Sequence, residues 1–113
     1  MRVRVIKVSN VTDHIGRDKF MMNCFTAFFD KLELVDWEIP QNITESFKSA
    51  DLITCGDGQL SRIVFNIGRN RYRMICGYLF GVSEVILFVK FVGTHKEYDK
   101  VNVCNIDMFK TVK

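Results

Sequence analysis

The spacing of apolar residues changes period along the chain. Residues 2–8 (RVRVIKV) alternate basic positions with valine and isoleucine, which predicts a short strand with one wet face, and Ser9-Asn10 punctuates it. Residues 11–36 contain no proline, and Met21, Cys24, Phe25, Phe28, Phe29, Leu32 and Val35 recur at intervals of three and four. That stripe predicts an amphipathic helix lying on a sheet, with Gly16 splitting off a short first helix and a longer second one starting near residue 18. Trp37 and Pro40 close the segment, because proline biases the preceding residue away from helical geometry. A short helix around residues 41–48 and entry into a strand follow.

Beyond residue 60 the period becomes two. SRIVFNI, NRYRMICGYLF and SEVILFVKFV are three strand-like runs, separated by Gly68-Arg69 and Gly81-Val82 as hairpin signals, and tight connections between successive strands imply an antiparallel meander. Where the last run stops, Thr94-His95-Lys96-Glu97 fits the T-x-x-E capping box, which predicts a short helix. The tail after residue 102 has no pattern that assigns it a structure. A strand, two to three helices, a meander and a short C-terminal helix make one α+β domain over residues 1–113.

Composition narrows the class. Apolar residues make up 48% of the 113 positions, which excludes a disordered chain, and ten phenylalanines with a single proline suit a sheet with helices packed on it. The net charge of +3 does not by itself suggest nucleic acid, but its distribution does more. No acid lies between Asp57 and Glu84, whereas Arg62, Arg69, Arg71 and Arg73 all do. Cys24, Cys55, Cys76 and Cys104 form no CxxC pair, and no stretch combines a basic leader with a signal-length apolar core and cleavage site. The expectation is a reduced, cytoplasmic protein in which Cys55 and Cys76 are small buried hydrophobes. No run approaches the ~18 apolar residues of a membrane-spanning helix, and VILFVKFVG is broken by Lys90.

Two stretches carry candidate chemistry. In NRYRMICGYLF a period of two puts Arg71 and Arg73 on the same strand face as Ile75, Gly77 and Leu79. A planar guanidinium binds phosphate oxygens bidentately and can stabilise a developing phosphorane. A solvated hairpin end accounts for Arg71 better than a phosphate site does, whereas Arg73, further from the turn, suits either reading. In the capped segment, His95, Tyr98 and Asp99 share one face of a helical turn, while Lys96 and Lys100 share another. The positive field at a helix start keeps a histidine able to accept a proton, and an aspartate in reach could orient it. Taken singly, the capped turn reads as ordinary surface. Combined with the strand arginines it supplies base, acid and charge stabiliser for phosphoryl transfer within RNA, where the ribose 2′-hydroxyl is its own nucleophile. His14 and His95 lie far apart among unclustered acids, which does not describe a zinc or two-metal site, and GDGQ and GRN lack the spacing of a phosphate loop. His14 reads as a surface residue.

RIVFNIGRNRYR (residues 62–73) and FVGTHKEYDKV (residues 91–101) together resemble the HigB-type toxins, a branch of the RelE-like mRNA interferases of bacterial toxin–antitoxin modules; with DWEIPQNITESFKSAD the similarity runs from about Asp36 to Val101. The resemblance implies a RelE-like fold with a small twisted antiparallel sheet and helices on one side. It implies a metal-independent endoribonuclease, without cofactors, that cuts translated mRNA in the ribosomal A site and is silenced by a HigA-type antitoxin with a DNA-binding segment. By motif, Asn66 matches the asparagine of Phe-Asn-Ile, Arg73 the arginine of the Tyr-Arg pair and Asn70 the asparagine ahead of it. His95, Tyr98 and Asp99 match Thr-His-x-Glu-Tyr-Asp. The chain departs from many relatives in its Gly68-Arg69-Asn70 order and in having Lys96 where alanine is frequent.

On this reading His95 accepts the 2′-hydroxyl proton or protonates the leaving 5′-oxygen, and Arg73 stabilises the phosphorane. Lys96 and Tyr98 complete the catalytic set, with acid and base not yet told apart. Asn66, Asn70 and Asp99 help position the RNA, while Arg62, Arg69 and Arg71 attract it. Two other classes are compatible with the same residues: a non-catalytic RNA- or ribosome-binding module, and a purely structural partner protein.

Overall fold

A computed structural model of the chain describes residues 1–6 and 8–109. The elements run β1 (Arg2–Ile6), α1 (Val8–Ile15), α2 (Lys19–Leu32), α3 (Gln41–Ser46), β2 (Asp51–Ile53), β3 (Arg62–Ile67), β4 (Tyr72–Phe80), β5 (Glu84–Thr94) and α4 (His95–Tyr98). Five strands form one sheet in the order β1-β5-β4-β3-β2. β2 and β3, β3 and β4, and β4 and β5 pair antiparallel, and β1 lies parallel to β5 at the edge. This is the α+β architecture expected, with a RelE-like order of elements.

The helices α1, α2 and α3 cover one face. On α2 the buried positions are Met21, Phe25, Phe28 and Leu32, a stripe at helical spacing, and the Phe28 ring lies 4.9 Å from those of Phe47 and Phe65. Asp18 caps α2 by accepting the Met21 N–H at 3.0 Å. α1 begins earlier than the pattern of residues 2–8 suggests. Val8, Ser9 and Asn10 are helical rather than strand and turn, because Val8, Val11 and Ile15 form a helical stripe of which Val11 and Ile15 are buried; Lys7, part of the expected strand, lies outside the described residues. α2 stops at Leu32 rather than near residue 36, and the buried Trp37 instead donates its indole N–H to the Ser46 hydroxyl at 2.9 Å.

β5 contains an irregularity that decides what the other face looks like. Cys76 pairs with Val89 and Ile75 with Phe91, so Lys90 is an extra residue, a β-bulge. Before it Val85, Leu87 and Val89 face the helices; after it Val92 does. Phe91 is thereby turned to the opposite face, where it joins Val64 and Ile75 in a second buried cluster. Burying each such side chain contributes about 1.5–3 kcal/mol.

That second cluster is covered by the end of α4 and the chain after it. Tyr98, Val101, Val103 and Ile106 pack on it. The Arg62 guanidinium donates to the carbonyls of Val103, at 3.0 Å, and Ile106. Lys90 pairs with Asp107 at 3.1 Å, and the Met108 N–H donates to the Lys90 carbonyl at 2.8 Å. Cys104 is disulfide-bonded to Cys55 in the β2–β3 connection, with Cα atoms 5.6 Å apart. The expectation of reduced cysteines is corrected here. Separation along the chain does not limit pairing once the fold returns the tail to the β2–β3 loop, and Cys55 is a cross-link rather than a small hydrophobe. Cys76 is fully buried, as expected, and burial pushes its thiol far above the ordinary range. Among the described residues no helix is long and apolar enough to cross a membrane.

Candidate functional site

Strand register assembles the site on the face away from α1, α2 and α3. Asn66 pairs with Arg73, and Arg73 with Gly93, forming one row across three strands. Gly93 leaves the end of that row bare, and it has to: a Cβ there would lie 2.7 Å from the Phe91 Cζ and 3.1 Å from a Glu97 carboxylate oxygen. Into that space the chain turns to begin α4.

The capping box forms. The Thr94 hydroxyl accepts the Glu97 N–H at 3.2 Å, and the Glu97 carboxylate accepts the Thr94 N–H at 2.8 Å. The His95 N–H donates to the Arg71 carbonyl at 3.1 Å, extending the ladder by one bond beyond β4 and tying the start of α4 to the neighbouring hairpin. These N–H groups at the helix start are used internally, so charge in this region comes from side chains.

Arg73 is held from both ends. One guanidinium nitrogen donates to the Asn70 carbonyl at 3.0 Å, and the carbon of the group lies 5.7 Å from the centre of the Tyr98 ring. Tyr98 in turn rests on Phe91, with ring centres 6.5 Å apart. The His95 Nδ1 lies 3.2 Å from Asp99, one helical turn on, with their side chains 52% and 59% exposed. The pair is therefore open to a large ligand. Lys96 projects from the same exposed turn. The Asn66 amide donates to the Ser49 carbonyl at 3.0 Å, which orients its carbonyl oxygen.

The β3–β4 turn itself is unusual. Gly68, Arg69 and Asn70 have φ of 65°, 55° and 71°, and the Arg71 N–H closes the turn on the Gly68 carbonyl at 3.2 Å. Two central residues of positive φ define a type I′ turn, which favours Asn-Gly and here contains Arg-Asn.

The predicted residues do not all meet. Arg73, Asn66, Asn70, His95, Lys96, Tyr98 and Asp99 gather around the β4–α4 junction, and Arg69 stands exposed at the turn. Arg71 does not share the face of Arg73. It precedes β4, the left-handed turn removes it from strand alternation, and its guanidinium lies 4.7 Å over the ring of Phe20 on α2. Arg62 is four residues along β3 from Asn66, about 13 Å, and is buried beneath the tail; desolvation lowers its pKa, opposed by the charge of Asp107. It holds the tail rather than facing a ligand.

Sequence reasoning passed over Gly93, Phe20 and Ser49. A glycine closing an apolar run and a phenylalanine off the buried stripe of α2 were visible signals; a backbone carbonyl brought from another loop was not. Among the described residues no group of three or more His, Cys, Asp or Glu is placed to hold a metal ion.

An N-terminal strand, helices, a five-stranded, mostly antiparallel sheet and a short C-terminal helix make a RelE-like fold. The chain belongs to the HigB toxin family: the family model, described as a RelE-like toxic component of a toxin–antitoxin system, matches residues 22–101. No curated protein matches the chain. The family places the protein as the toxin of such a system and implies an antitoxin partner.

Proposed function

We propose that this protein is an mRNA interferase, an endoribonuclease that cuts translated mRNA without a metal. The observation that carries the reading is the junction of β4 and α4, where Arg73, anchored by Asn70 and flanked by Tyr98, shares one exposed region with the His95–Asp99 pair. Asp99 at the Nδ1 of His95 orients the ring and leaves Nε2 to exchange a proton with RNA. The ribose 2′-oxygen attacks the adjacent phosphorus, its proton leaves, and the 5′-oxygen departs with a proton. The products are a 2′,3′-cyclic phosphate and a 5′-hydroxyl. His95 acts at one of these two proton transfers; Tyr98 and Lys96 are the candidates for the other. Arg73 carries the charge that builds on the phosphorane oxygens. Asn66 and Asn70 position the backbone, and Arg69 and Arg71 attract it.

The exposure of the His95–Asp99 pair supports action on the ribosome, since a surface this open has no walls of its own to hold single-stranded RNA in line and exclude water. Such a target places the protein in the cytoplasm. The partner that silences it is a HigA-like, DNA-binding antitoxin. Primer extension on mRNA from cells expressing wild type, His95→Ala or Arg73→Ala tests the reading. Cleavage should cease or fall at least a hundredfold in both variants, and undiminished cleavage by both overturns the assignment. Salt-sensitive co-sedimentation of the wild type with ribosomes, with no cleavage, would instead identify a binding module.

A further inference from the structure

We propose that the cavity between the start of α2 and the β3–β4 turn is a nucleotide subsite, in which an RNA base adjoining the scissile phosphate stacks against Phe20 and Arg71 while Arg69 meets its phosphate. The proposal rests on the endoribonuclease reading and adds a specificity-determining surface to it. The cavity, about 430 Å³, is lined by Phe20, Cys24, Gly68, Arg69 and Arg71, a size within the range of small-molecule sites.

Phe20 is 52% exposed although its helix neighbours Met21, Phe25 and Phe28 are buried, so the ring is not spent on the core. One of its contacts is the Arg71 guanidinium at 4.7 Å, and the Tyr72 ring lies 6.4 Å away. An aromatic ring topped by a planar cation is a stacking platform that any base can extend, because every base offers a π face. None of the ion pairs among the described residues involves Arg69 or Arg71. Their charge is available to an anion, in a stretch that lacks acids from residue 58 to 83.

The left-handed run at residues 68–70 connects this subsite to the reaction. It sends Arg71 toward Phe20 while Arg73, two residues on, faces Tyr98. Two residues of backbone span at most about 7 Å. An RNA strand wrapping the hairpin end from one face of the sheet to the other would therefore place one nucleotide against Arg73 and its neighbour against Phe20. Gly68 keeps the floor of the cavity low, since a Cβ there would come within 3.1 Å of the Cys24 sulfur and 3.2 Å of Tyr72.

The test uses the full chain and an uncleavable 2′-O-methyl RNA oligonucleotide containing 2-aminopurine. In the wild type the fluorescence should be quenched by stacking, and bound oligonucleotide should slow alkylation of Cys24 by N-ethylmaleimide; Cys76 is buried and Cys55 and Cys104 are paired, so Cys24 reports alone. Phe20→Leu keeps apolar bulk at an exposed position but removes the aromatic face. It should abolish the quench and weaken binding roughly 5- to 150-fold, the span of one base–aromatic stack. Arg73→Ala should lose cleavage of translated mRNA in cells and, as the purified chain, keep the quench. Unchanged quenching and affinity in Phe20→Leu, or Cys24 alkylation at the same rate with and without RNA, overturns the subsite while leaving an observed nuclease intact. Quenching and Cys24 protection in a protein that leaves translated mRNA uncut in cells supports the subsite and overturns the nuclease reading.

Discussion

Gly93→Ala offers a direct probe of how the sheet positions α4. The strain does not come from φ, since Gly93 is not among the positive-φ glycines; it comes from space. The new methyl carbon would stand 2.7 Å from the Phe91 Cζ, 3.1 Å from a Glu97 carboxylate oxygen and 3.3 Å from the Glu97 Cβ. Phe91 is 4% exposed and wedged among Val64, Ile75 and Tyr98, so its ring has nowhere to retreat. Overpacking of this kind costs about 1–3 kcal/mol. Pushing Glu97 aside also forfeits its bond to the Thr94 N–H, about 1 kcal/mol more. Together these predict a loss of about 2–4 kcal/mol, a fall in Tm on the order of 10 °C for a domain of this length. Urea unfolding followed by circular dichroism should show a lower midpoint with an unchanged slope. Glu97→Ala alone should cost only the cap, about 1 kcal/mol, and the double variant should lose less than the two single losses added. Because α4 carries His95 and Tyr98, displacement by even 1 Å should reduce cleavage about a hundredfold. A Gly93→Ala protein within about 0.5 kcal/mol of wild type, or strict additivity with Glu97→Ala, would refute the argument that this glycine makes room for the capped turn.

Arg69→Gly should stabilise the protein by about 1 kcal/mol, because Arg69 holds a φ of 55° that glycine adopts freely; the same variant should bind RNA less tightly with a shallower salt dependence, and a destabilised Arg69→Gly would contradict the turn geometry. Thiol titration of the native, unreduced protein should show Cys24 reacting rapidly and Cys76 only on unfolding, and four thiols after reduction. Cys104→Ser should cost about 4 kcal/mol, as expected for closing a loop with a sequence separation of 49; equal stability with and without reductant would count against the cross-link. The Met1 amine has its pKa raised, chiefly by hydrogen bonds to Asp36 and also to Glu38, from an ordinary 8.0. A raised amine contributes fully below its unfolded value and ceases to as pH climbs through the folded one. Stability should therefore decline as pH climbs above the ordinary value of 8.0 and through the raised one, and Asp36→Asn with Glu38→Gln should flatten that decline; an identical decline in the double variant would show that another group is responsible.

Local patterning determined much of this protein. The α2 stripe, the period-two runs that became β3, β4 and β5, and the capping box at Thr94 each arise from interactions within a few residues, so they are legible without a fold. The proximity of Asp99 to His95 follows from the same short-range spacing. What required tertiary structure lies where a partner is distant or a turn interrupts the period. The parallel placement of β1 beside β5 joins opposite ends of the chain. Arg71 and Arg73 separated because strand alternation holds only inside a strand, and closing the β3–β4 hairpin with three left-handed residues put Arg71 outside one. Arg62, Cys55 and Cys104 acquired their roles from a tail that folds back across the sheet, a contact between segments roughly 40 to 50 residues apart that no local period encodes.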